Sequence, residues 1–530
     1  MVIMQKLSTY QSWIKWILFL SFVFLSIQYT SPQYSYFQDS HDKLIQTYSI
    51  WKNHFLSDAL YYPAKVFDSN YEYIHLTKNL FLKIDERLVS AFPIQFAYLM
   101  APFLFVFPLS SLVYTSLLFL ILSFFLLRRY YQFSFLLLWI SFFGTFLWPL
   151  SWEYSELPAI FAFSVFCLLP ILKRKKETIF QLLGGIGLSW IVMVRLDTLP
   201  FFLLFFLSYF YFIWKDKNRN GFFKEILSIK ILIFSGIIGI LFQFLINTIL
   251  VHHFLGSRYL ANMNGFSVEM STRLQWFQSL LFYGEKKIGF FVYLPITVFL
   301  LIFYGIKFNK INRTKKSLFL SMTMTIFLIP FLAPNDGFNN WGPRYFTVLL
   351  IPYLLLLKPI LSIVFKKRKW IYSIFFSLLF LYSGTLGLIG AKIQKSKTNL
   401  IKKFQSVTNT IKPDIIVFTD YLNLYSMGSD YIKLMAIVSY TTESNTKLIH
   451  SISEMMPNKK IAFVDWHPSI LTQEIRRTMN AEKLKGGFPI SDWNSDLLEN
   501  TLKNFTFDYQ RVDIQTYRIW LGTIAEKESK

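Results

Sequence analysis

Cysteine is nearly absent from this chain: one residue, Cys167, in 530. No intramolecular disulfide can brace a loop, so every folded part must hold by packing alone. Acidic residues are also scarce, 31 against 54 Lys and Arg. No G-x-x-x-x-G-K-[ST] loop is present to cradle a nucleotide phosphate, no H-E-x-x-H or Cys/His cluster to hold a metal, and no D-x-D triplet. Of the seven His only His252 and His253 are adjacent. No cofactor is therefore expected, and a divalent metal stays open but unsupported. Internal repeats and low-complexity stretches are missing as well.

What the chain has is apolar length. Hydrophobic residues make up 54%, aromatics 19%, and mean hydropathy is +0.40. Apolar runs of roughly 16 to 23 residues, each long enough to approach the bilayer thickness, recur from 13–30 to 370–390. This pattern predicts a polytopic α-helical membrane protein with about 11 transmembrane helices. The net charge of +23 does not point to nucleic acid, because much of it lies in short gaps: Arg128-Arg129, 173–176, 215–224, 307–316 and 366–369. By the positive-inside bias those gaps are cytoplasmic. The amino terminus is then cytoplasmic, the protein multi-pass in the plasma (inner) membrane, and the tail extracytoplasmic. Segment 94–108 is apolar but short and carries Pro102 and Pro108. Counted as a crossing it would place every later basic cluster outside, so it is assigned to a re-entrant or interfacial helix. Residues 13–30 lack a small-residue cleavage pattern and read as a retained first helix.

Two regions outside the spans are expected to fold separately: a first outer loop, 31–93, belonging to a transmembrane domain 1–390, and a C-terminal extracytoplasmic α/β domain, 391–530. In the loop, Leu44, Ile45, Tyr48 and Trp51 have the spacing of an amphipathic helix lying on the membrane surface. In the tail, 414–419 and 461–465 read as buried strands and 509–521 as an alternating strand or hairpin.

Charged residues in the outer gaps are candidates for chemistry, because ionisable groups at a membrane mouth are costly unless they function or pair. Asp39 and Asp42 open the loop helix three residues apart, where the helix amino terminus favours an ionised carboxylate able to act as a base. A helix cap and a first-turn acid explain them equally well. Asp85-Glu86-Arg87 closes the loop and reads as a solvated helical turn or as part of the same mouth. Glu153 and Glu156 lie in a turn framed by Trp148, Trp152 and Tyr154, aromatics that suit an interfacial belt. Arg195 and Asp197 form a structural ion pair or line the same cavity. Asp336, Arg344 and Tyr345 follow in a Gly/Asn-rich turn. There an Arg set by Pro343 can present a bidentate fork to phosphate, or snorkel to the interface. Arg258, Glu269, Arg273 and Lys286-Lys287 occupy a long loop suited to an anionic headgroup or to solvent.

The order of Asp39-Ser40-His41-Asp42-Lys43, Phe92-Pro93-Ile94 leading into Ala101-Pro102-Phe103, and Trp341-Gly342-Pro343-Arg344-Tyr345 resembles the GT-C glycosyltransferases. That superfamily includes the protein O-mannosyltransferases and the lipid A aminoarabinose transferases. The resemblance covers about 31–390. It departs in lacking an adjacent Asp-Glu pair close behind the first helix and a double proline at 92–95. It implies an inverting glycosyltransferase that moves a hexosyl or pentosyl group from a polyprenyl-phosphate carrier to a hydroxyl of a glycan, lipid or protein acceptor. On this resemblance Asp39 or Asp42 is the catalytic base, with Asp39 slightly preferred. Glu153, Glu156, Arg258, Arg273, Asp336, Arg344 and Tyr345 would bind substrate, and Asp39, Asp42 and Arg344 are expected to share one cavity. A lipid or polysaccharide transporter and a non-enzymatic membrane scaffold are the rival readings.

Overall fold

The computed structural model describes residues 2–74, 80–172, 177–216, 219–262, 269–284, 287–333, 335, 341–366, 370–467, 469, 475, 495–503, 507–514 and 516–524. Asp336, Lys286 and the basic clusters at 173–176 and 367–369 lie outside this set. The chain divides into two compact units. One comprises Met1–Pro32, Pro93–Met100 and Ser111–Lys395; the other comprises Gln33–Phe92, Ala101–Ser110 and Ser396–Lys530. The loop and the tail, read from sequence as parts of separate domains, thus belong to one unit. The break at Lys395–Ser396 falls inside a single helix of 42 residues, Trp370–Ile411, which continues well past the residue 390 expected to end the last span.

The first unit is helical. Among the described residues, seven helices are long and apolar enough to cross a membrane: Gln11–Tyr34, Leu109–Arg129, Leu196–Asp216, Lys230–Val251, Arg313–Leu332, Arg344–Val364 and Trp370–Ile411. Leu157–Leu172, Thr178–Val194 and Ile296–Ile306 are apolar but shorter, as is Ile94–Phe105. At the helical rise those last 12 residues extend about 18 Å, less than the roughly 30 Å hydrocarbon core. The expected span 132–150 is interrupted rather than continuous. Its helix, Phe135–Phe143, is capped by the Ser134 hydroxyl, which accepts from the Leu137 N–H at 3.2 Å. It stops at Gly144, and a short turn, Leu147–Leu150, follows with Pro149 inside it.

Lipid offers no hydrophobic drive for helices to associate, so close backbone approach through small residues becomes the means of packing. Thr178–Val194 and Lys230–Val251 meet this way. A Cβ on Gly185 would lie 2.5 Å from the Leu232 carbonyl oxygen and 2.7 Å from the Gly236 nitrogen, and one on Gly239 would collide with Ser189.

The second unit is built on a five-stranded sheet in the spatial order Met435–Val438, Ile415–Phe418, Lys460–Trp466, Tyr517–Ile524, Phe507–Asp513. The first three strands are parallel, and the last two form an antiparallel hairpin. The expected strands at 414–419 and 461–465 and the hairpin at 509–521 are therefore present; Met435–Val438 had no sequence signal. Period-two alternation divides the core. Ile416, Phe418, Val438, Ala462, Val464 and Ile519 pack with Ile45, Leu88 and Phe404. Their neighbours Ile415, Val417, Ile437, Phe463 and Trp520 pack with Leu448, Ile452 and Leu502. The edge strand is covered by the loop, where the Tyr73 carbonyl accepts from the Val438 N–H at 2.8 Å.

Two expectations for the loop are corrected. Its helix, Asp39–Lys52, exists, but it is not an amphipathic surface helix: His41, Asp42, Lys43, Gln46 and Thr47 are buried together with Leu44 and Ile45. Asp85 and Glu86 do not form a helical turn. They are the two central residues of a hairpin between Phe81–Ile84 and Arg87–Ser90, both with positive φ (47° and 61°), the geometry of a type I′ turn. Arg87 behind them grips the buried Asp58 at 2.7 Å.

The seam supplies a stability test with a built-in control. Gly185→Leu is expected to lower the thermal unfolding midpoint of the detergent-purified chain by overpacking worth about 1–3 kcal/mol. Gly305→Leu, where a Cβ meets nothing within 4 Å, should leave it unchanged; equal effects of the two would refute the close-packed seam.

Candidate functional site

In the second unit the chain turns sharply at Gln38 (φ 49°) and enters the helix Asp39–Lys52. The two acids of its first turn have different surroundings. Asp39 is half-buried, whereas Asp42 is fully enclosed. The Asp42 carboxylate has His41 Nδ1 3.4 Å from Oδ1, and Oδ2 accepts from the Tyr425 hydroxyl at 3.4 Å. The His41 ring stands edge-on to Tyr425 and Tyr431, at 5.2 and 5.1 Å between centroids. Burial, with Asp42 next, pushes the Tyr425 phenol well above its ordinary pKa, so it remains a donor. Lys43 is also enclosed, its ammonium 5.1 Å from the centre of the Phe92 ring. Gln46 donates to the Phe92 carbonyl at 3.0 Å and ties the two ends of the loop together. Asp42 is thus a structural acceptor, while Asp39 is the acid with solvent access.

In the first unit, three sequence-distant segments converge on Arg195. This residue sits between Thr178–Val194 and the short turn Leu196–Thr198. Its guanidinium forks onto Asp197 through Nε at 3.0 Å and Nη2 at 2.9 Å, and Nη1 lies 3.6 Å from Glu156. Glu156 immediately precedes the helix Leu157–Leu172 and, like Arg195, is buried. Burial opposes the Arg195 charge, but Asp197 and then Glu156 outweigh it and hold its pKa above the ordinary value. The same guanidinium lies 4.8 Å from the centre of the Tyr345 ring, and that of Arg344 lies 5.6 Å from it. The Tyr345 hydroxyl donates to Asn335 Oδ1 at 2.6 Å. Gly342, at φ +88°, makes the turn that delivers Arg344 to the start of the helical segment Arg344–Leu349. Both guanidinium groups lie against the Tyr345 ring, and the half-buried Arg344 is the more accessible of the two.

The predicted residues are distributed as follows. Glu156, Arg344 and Tyr345 come together, joined by Arg195, Asp197 and Asn335, which lie outside the set of expected substrate contacts. Glu153 is half-buried in the same turn. The aromatics around it are not belt residues at an interface: Trp148, Trp152 and Tyr154 are 5%, 2% and 0% exposed, packed inside the unit. Arg273 donates to the Ala333 carbonyl at 2.6 Å, capping the end of Arg313–Leu332, and lies over Trp276. Arg258 is half-buried on the short helix Ser257–Asn262. Asp39 and Asp42 belong to the second unit. Tyr425, the partner of Asp42, carried no motif; only its 383-residue separation from Asp42 closing in space reveals it. Among the described residues, no group of three or more His, Cys, Asp or Glu is placed to hold a metal ion.

Stability measurements separate these roles. Asp42→Ala is expected to cost about 1–3 kcal/mol, since it strips a buried acceptor from Tyr425 and His41, while Asp39→Asn should stay within about 0.5 kcal/mol of the unsubstituted chain. Arg195→Met leaves two buried carboxylates facing each other and should cost about 3–5 kcal/mol. Thermal and denaturant unfolding of the purified chain reads all three, and an Asp42→Ala variant as stable as Asp39→Asn would remove the anchoring role.

Comparison of the chain with protein-family models and with curated proteins finds no match.

Proposed function

We propose that this protein is a membrane glycosyltransferase that moves a sugar from a polyprenyl-phosphate carrier to an acceptor hydroxyl, with inversion, building a cell-envelope glycan. The observation that carries the reading is the division of labour in the first turn of Asp39–Lys52: one acid locked as a structural acceptor, the other at the helix amino terminus with solvent access. A base must reach a substrate proton, and Asp39 is the member of the pair that can. Asp39 takes the acceptor's hydroxyl proton. The acceptor oxygen then bonds to the anomeric carbon as the bond from that carbon to the carrier phosphate oxygen breaks, and the released lipid phosphate carries the negative charge. By the resemblance, Arg344, steadied on the Tyr345 ring beside Arg195, is the residue assigned to the carrier phosphate. Glu156 and Asp197 hold Arg195, and the half-buried Arg344 is the more accessible of the two guanidinium groups.

The apolar helices suit a donor that resides in the bilayer, and the run of basic clusters supports a multi-pass arrangement in the plasma membrane with the sheet-bearing unit outside. The first-loop acids and the Trp341 to Tyr345 motif support the GT-C architecture by resemblance alone.

Transfer from a defined polyprenyl-phosphate sugar, measured beside membrane expression, tests the proposal. Asp39→Asn should lower turnover about 100-fold or more, the usual scale of a general base. Arg344→Lys should chiefly raise the donor KM, because the ammonium keeps charge without the fork. Normal turnover in both variants sinks the reading.

A further inference from the structure

The helical unit carries an open apolar groove of about 800 Å³, with exposed side chains such as Leu25 and Leu381 on its walls. It is walled by the first helix, by Phe135–Phe143 and by the terminal helix Trp370–Ile411, with Phe22, Leu25, Trp139, Phe143 and Phe380 among its lining. None of the residues placed in the proposed transfer chemistry lines it. Along the terminal helix the lining runs from Ser377 to Leu388, about 16 Å at the helical rise. That is around half of a bilayer's hydrocarbon core, the depth of a single leaflet.

Its wall changes character at one end. Tyr29, an exposed side chain suited to the region between hydrocarbon and water, lines the cavity there. From Leu388 the helix continues through Lys392 to Lys395, at i+4 and i+7, so cations extend the face that lines the groove. The Lys395 ammonium lies 5.7 Å from the centre of the Tyr29 ring and donates to the Ser31 hydroxyl at 2.7 Å, while Lys392 is exposed. An apolar slot of one-leaflet depth with a lysine at its aromatic end is complementary to a lipid whose headgroup carries a phosphate negative charge. From this the geometry points to a specific site for one anionic phospholipid, its acyl chain between the first, Phe135–Phe143 and terminal helices and its phosphate at Lys395. The assignment does not depend on the transferase reading.

Lipid retention on the full-length chain tests it. The chain is purified in detergent, stripped of lipid and titrated with chain-matched phosphatidylglycerol or phosphatidylcholine, and bound lipid is counted by native mass spectrometry. One phosphatidylglycerol should be held about fivefold more tightly than phosphatidylcholine, the weight of one lysine near an anionic surface. Lys395→Ala should erase that preference, and Lys395→Arg should keep it. Gly384→Leu should abolish retention of both lipids. Its Cβ meets the Phe143 carbonyl oxygen at an ordinary 3.6 Å, and the rest of the side chain fills the cavity. Ser26→Phe fills it from the opposite wall, so one variant remains informative if the other misfolds; an unchanged thermal midpoint identifies the folded one. Equal retention of the two phospholipids by the unsubstituted chain, or undiminished retention in a folded cavity-filled variant, overturns the assignment. So does displacement of phosphatidylglycerol by an equimolar polyprenyl phosphate, which would make the occupant an isoprenoid.

Discussion

A guanidinium buried among aliphatic and aromatic side chains is stable only if opposite charge is buried with it, and Arg195 meets that condition with two carboxylates from different segments. The ion pair fixes more than charge. Glu156 sits at the start of one helix, Asp197 in the turn between two others, and Tyr345, against the same guanidinium, at the start of a fourth. Small-residue seams such as Gly185 against Gly236 bring helices together but carry little directional information. The Arg195 cluster sets where helix ends meet, and it does so at the place where Arg344 projects.

The second unit relies on a different constraint, the two-residue period of a sheet covered on both faces. The same alternation that sends Ile416 and Val464 toward Ile45 and Phe404 sends Ile415 and Phe463 toward Leu448 and Leu502. A one-residue slip would exchange the two faces entirely. The loop is a structural part of this unit. Within it the Asp68 carboxylate accepts from the Tyr62 hydroxyl and from the backbone N–H groups of Glu72 and Tyr73. Tyr73, placed in this way, covers the edge strand.

Which parts of this were legible in the sequence follows from the range of the interactions involved. Hydropathy over a window of one span identifies long apolar helices, because membrane length is a local property. Buried strands such as Ile415–Phe418 declare themselves as short β-branched runs, and the loop helix by its period. The interruption at Gly144 was masked, since an apolar run scores equally whether its helix is continuous or broken. Trp148 and Trp152 read as interfacial because composition cannot tell an aromatic at a helix end from one packed inward. Asp85-Glu86 reads as a helical turn because the strands flanking it are only four residues each. The membership of the loop in the tail's unit was illegible in principle: it rests on contacts such as Tyr425 with Asp42, across 383 residues.

The candidate site shows the same boundary between local and long-range information. Spacing alone puts Asp39 and Asp42 on one helical face, which makes them interchangeable as bases. That holds only for a helix with one buried side. Asp39–Lys52 is enclosed around most of its circumference, so position along the axis, rather than face, decides access: the first residue stays open and the fourth is covered by Tyr425 and His41. A carboxylate with solvent access at a helix amino terminus has the macrodipole favouring its anionic form, and its neighbour, held by fixed donors, gives the turn a rigid footing. Precision in a first turn comes from what its second acid cannot do. In the transferase reading, that division is what converts an ordinary pair of helix-start acids into a base with one defined position.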